Sequence, residues 1–67
     1  MDRARLAEIR DVAMGILGGE SRWASLVTYH LRTLDLMGVD RLSEFADAKG
    51  PNGKAIRAVI QAAREVD

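Results

Sequence analysis

His30 is the only histidine of the chain, and imidazole is the side chain best suited to acid–base work near neutrality. On a helical wheel it lies at the edge of an apolar face, between Trp23 and Leu34. A histidine there reads as a partly buried core residue rather than a catalyst. The hydroxyls of Ser21, Ser25, Thr28, Thr33 and Ser43 are candidate nucleophiles, but none sits in an activating motif. Glu8 with Asp11, and Glu44 with Asp47, share helix faces at i,i+3. That spacing could hold a cation, yet neither pair has a third ligand near it in sequence, so both read as solvated charge. Gly15, Gly18 and Gly19 do not follow a strand, which leaves a phosphate-cradling loop unsupported. No cysteine is present, and one histidine cannot hold a structural zinc alone. The residues therefore point to no catalytic group, no metal site, no cofactor and no small-molecule substrate, and the protein is expected not to be an enzyme.

What remains is charge. The segment Lys49–Arg64, KGPNGKAIRAVIQAAR, carries four cations and no acid in a chain of zero net charge. At helical spacing Lys54, Arg57, Gln61 and Arg64 fall on one outer ridge, while Ile56, Val59 and Ile60 face inward. The acids Asp35, Asp40, Glu44 and Asp47 precede this segment. Opposed patches of this kind orient association with a complementary surface.

The elements that must position these residues are helical. Asp2 is a suitable N-cap for a first helix over about 2–17, ended by Gly18-Gly19. Leu6, Ile9, Val12, Ala13, Ile16 and Leu17 form its apolar stripe, and Met14 points away from it. Gly15 inside this helix weakens it, or permits a close crossing. Ser21 can cap a second helix over 22–37, whose main apolar face is Trp23, Leu26, Val27, Leu31, Leu34 and Met37. Tyr29 and Leu36, seven residues apart, project from nearly the opposite side. A helix apolar on both sides reads as the centre of a bundle, or as one that keeps a second side for a partner. Asp40 is the expected cap of a short third helix over 41–48, with Leu42, Phe45 and Ala46 facing inward. Gly50 supplies a left-handed exit, Pro51 stops any continuation, and a fourth helix covers 52–66. The fold class is all-α: one domain over 1–67, built as a compact bundle of four short helices with short connections.

From Leu42 to Val59 the spacing resembles a helix-turn-helix motif: Ala46, Gly50 four residues on, Ile56 six beyond that, and Val59 three more. The resemblance is confined to about the last third of the chain. Lys49 and Pro51 depart from it, standing where that motif usually places buried aliphatics. What the resemblance implies is DNA binding, with Leu42–Ala48 as supporting helix and Asn52–Arg64 as reader. Lys54, Arg57, Gln61 and Arg64 would then meet phosphates or base edges in the major groove.

Size bounds the remaining choices. Sixty-seven residues lie near the lower limit for an independent core, and the usual disulfide or metal staples are missing. Completion by a partner is expected, with a homodimer as the leading form. Tyr29, Leu36 and Met14 are the candidate apolar interface, because Met and Tyr are enriched at protein contacts. The function expected first is a small protein-interaction module (a regulator, inhibitor or assembly subunit), with the DNA-binding reading second. The charged start MDRARLAEIRD is unlike a signal peptide, and no apolar run approaches the ~20 residues that span a bilayer. Cytoplasmic location is expected, and the short neutral chain suggests a phage or mobile-element product by analogy alone.

Overall fold

The computed structural model describes residues 1–66. Helix α1 runs over Arg3–Ile16, a tight turn of 3-10 helix over Ser21–Trp23, α2 over Ala24–Met37, α3 over Val39–Ser43 and α4 over Gly50–Val66. No strand occurs among the described residues, so the all-α bundle expected from the periodicity is the fold. No helix is long and apolar enough to cross a membrane.

Each boundary has a local cause. Asp2 caps α1 as expected, its carboxylate accepting from the Ala4 amide at 3.3 Å. Gly18 and Gly19, at φ +88° and +76°, then end α1 in the left-handed region. Ser21 does not cap α2. It opens the 3-10 turn instead, and α2 starts at Ala24 without a side-chain cap. This turn delivers Trp23 to the core before the α-helix begins. Gly38, at φ +87°, redirects the chain so that α3 starts at Val39, two residues before the expected position and with Asp40 inside it.

The third helix is also shorter than its periodicity suggests, ending at Ser43 rather than Ala48. There the Ser43 hydroxyl donates to the Val39 carbonyl at 2.8 Å, a local alternative to helix extension. Residues 44–48 follow as successive tight turns. The amides of Phe45, Ala46 and Ala48 reach back three residues, to Leu42, Ser43 and Phe45. Gly50 turns left-handed at φ +71°, and Pro51 enters the first turn of α4, where its missing N–H is not needed.

The most deeply buried helix is α4, while α2 also packs against α1, α3 and α4. Gly53, Ala55, Ile56, Ala58, Val59, Ile60, Ala62 and Ala63 are all buried, and α4 packs against α1, α2 and α3. Four of these residues are alanine and one is glycine, so neighbouring helices can approach closely around much of its circumference. Ile9, Ala13 and Leu17 of the α1 side, and Val27, Leu31 and Leu34 of α2, complete the core. Ile16, placed on the α1 stripe by its spacing, is partly exposed. Met14 does not project to solvent, but is half-buried against the core.

Two glycines of the helices have opposite meanings. A Cβ on Gly15 would meet nothing within 4 Å, so no close crossing requires it. A Cβ on Gly53 would overlap the Ala48 carbonyl, so the 44–48 segment can lie against α4 only because position 53 lacks a side chain. Gly15→Ala is therefore expected to stabilise the protein by about 1 kcal/mol. Gly53→Ala should destabilise it by more than that, since backbone rather than a mobile side chain must yield. Urea unfolding followed by circular dichroism compares the two directly.

Candidate functional site

The buried face of α2 is built from Val27, His30, Leu31 and Leu34. Turning along the same helix brings Tyr29 and Leu36 to the opposite side, with Thr33 and Met37 at the edge next to His30. Tyr29, Leu36 and Met37 are 68%, 71% and 61% exposed. Phe45, in the turns after α3, is 47% exposed. Leu36 and Tyr29 thus stand where their spacing put them, whereas Met37 and Phe45 were expected inside.

The reason is the early end of α3. Phe45 follows Leu42 by three residues and stays on its side, but no helix covers it. Between α2 and the α3 region lies a half-open groove of about 340 Å³. One wall is Tyr29, Thr33 and Met37; the other is Arg41, Phe45 and Ala48; Leu42 and Ile56 form the apolar part of the floor.

His30 and Asn52 close the polar part of that floor. His30 is 4% exposed, and its Nε2–H donates to Asn52 Oδ1 at 2.7 Å. This bond ties α2 to the first turn of α4. The Tyr29 ring stands nearly perpendicular to the imidazole, with centroids 5.3 Å apart. Across the groove the Arg41 guanidinium lies over the Phe45 ring at 5.3 Å and donates to Glu44 at 2.8 Å. Histidine and asparagine here make a structural strut under an apolar trough. Asn52, which the sequence did not single out, could have been found only by knowing that α4 starts beside α2.

The basic ridge divides into residues with different partners. Arg57 Nη1 donates to the carbonyls of Ala46 at 2.8 Å and Ala48 at 2.9 Å. It therefore satisfies backbone groups that the tight turns leave open. Lys54 lies over the Trp23 indole at 5.4 Å, and Arg22 reaches the same ring at 5.3 Å. The indole N–H beneath them has no acceptor among the described residues. Gln61 and Arg64 remain exposed on the same side as Arg57, with Glu65 beside them. Tyr29 and Leu36 share one surface, Met14 lies apart on α1, and the ridge occupies a different helix.

No family model, curated protein or solved structure matches this chain. Its site must be read from its own geometry.

The His30–Asn52 strut gives a direct stability test. Asn52→Ala is expected to cost about 1–3 kcal/mol, because it leaves the buried His30 without its bond, and His30→Ala a similar amount through the bond and packing it removes. The double variant should cost less than the two single losses added together. Thermal unfolding of the four proteins measures that coupling, and strict additivity would remove the strut.

Proposed function

We propose that this protein is a small interaction module that binds another protein through the outer face of α2 and the groove beside it. The observation that carries this reading is the high exposure of Tyr29, Leu36, Met37 and Phe45, with Tyr29, Met37 and Phe45 lining the groove and Leu36 next to Met37 on α2. If each full side chain offers about 200 Å², these four present on the order of 500 Å² of apolar surface. That is toward the upper end for the largest patch on a monomer, roughly 300–600 Å². It also approximates the apolar share of a standard interface of ~800 Å² per partner. Tyr and Met are side chains that recur in such contacts, and Met37 adapts readily to a partner's shape. A satisfied floor is equally important, because burying His30 and Asn52 further leaves their mutual bond intact.

The variants Tyr29→Ala and Leu36→Asp separate binding from folding. At these exposures each should change stability by less than about 0.5 kcal/mol. Partner capture that is retained by wild type and lost by both variants, at unchanged circular dichroism, is the expected result. Variants that fold normally and bind equally well would end this reading.

The DNA-binding alternative rests on Lys54, Gln61 and Arg64, which stay exposed on α4 without ion pairs among the described residues. It stands second because Arg57 is engaged with the chain's own carbonyls and the net charge is zero. On this alternative, Lys54→Ala and Arg64→Ala weaken duplex binding and each lowers its salt slope by about one. A fluorescence titration at two salt concentrations reads this, and no binding even at low salt removes it.

A further inference from the structure

We propose that the occupant of the α2 groove is an amphipathic helix with acidic residues flanking its apolar stripe. This deepens the interaction reading above and rests on it. From Tyr29 to Met37 the groove wall spans eight residues, about 12 Å at 1.5 Å per residue. Two turns of a helix, with apolar anchors at i, i+3 or i+4 and i+7, match that length.

Charge selects the flanks. Arg41 is the only formally charged side chain lining the groove, and no carboxylate lines it. On the other rim Arg32 lies beside Tyr29, exposed and without an ion pair among the described residues. The Arg41–Glu44 pair is itself half exposed on both sides, at 50% and 60%, so it screens the Arg41 charge only in part. Both edges of the apolar trough therefore present an arginine, and the complementary surface carries acids on either side of its anchors.

The same charges argue against a second copy. Antiparallel pairing of two α2 helices about Thr33 would place Tyr29 opposite Met37, a good apolar match. A two-fold interface, however, sets each flank against its own copy. The two Arg32 side chains would then sit about two residues apart along the axis, roughly 3 Å of rise.

The test uses the full chain and a displayed library of helical peptides. Apolar anchors are randomised at the spacing above, and each flanking position is randomised between Glu and Lys. Selection on wild type is expected to enrich glutamate on both flanks. Arg32→Glu should weaken a selected peptide about three- to tenfold, by the worth of one exposed pair lost and reversed, and should shift a fresh selection toward lysine. Enrichment without flank bias, or toward lysine, overturns the acidic helix and leaves the groove as an interaction site. So does a concentration-dependent dimer in sedimentation that Leu36→Asp abolishes. Equal enrichment on wild type and on Met37→Asp overturns both the acidic helix and the interaction face.

Discussion

With no cysteine to form a disulfide, this chain depends on how closely three helices can approach α4. The approach is set by small side chains. Ala55, Ala58, Ala62 and Ala63 are buried together with Gly53, and the last of these lets the Ala48 carbonyl rest where a side chain would otherwise stand. Arg57 then closes the gap by donating to the Ala46 and Ala48 carbonyls. The turns after α3 are held against α4 by a missing side chain at one position and a long one four residues later.

That clamp shapes the surface as well as the core. Because residues 44–48 are drawn onto α4 as tight turns, the α3 region is too short to cover the last turns of α2. Met37 and Phe45 are left facing each other across a trough instead of meeting beneath a helix. The His30–Asn52 bond crosses the floor and gives the buried imidazole a partner, so the trough is a mostly apolar concave surface. A protein of this size has little spare apolar surface to expose without use, and leaving a face of four large side chains open costs solubility. In the interaction reading proposed above, the opening is the part of the core that a partner completes.

The basic ridge shows how one charge pattern can serve different ends. Four polar residues at regular spacing looked like a single reading surface. In the folded chain Arg57 supports backbone, Lys54 and Arg22 crowd one indole, and Gln61 and Arg64 face solvent with no hydrogen bond or ion pair among the described residues. Spacing alone placed them correctly on one ridge, but the ridge's neighbours allotted the work.

Several features of this protein were determined by local sequence alone. The four helical segments follow from apolar periodicity, the cap at Asp2, and glycines whose positive φ ends or turns the chain at 18, 19, 38 and 50. These signals are legible because each acts within one or two helical turns. The exposure of Tyr29 and Leu36 is equally local, being the far side of an amphipathic helix. Tertiary structure decided the rest. It made α4 the most deeply buried helix, ended α3 at Ser43, left Met37 and Phe45 uncovered, and paired His30 with Asn52 across 22 positions. A helical wheel states which residues share a face, but whether a face is covered depends on the length and direction of neighbours. Those were fixed here by a hydroxyl bond at Ser43, a bare backbone at Gly53 and the reach of Arg57, none of which has a periodic signature.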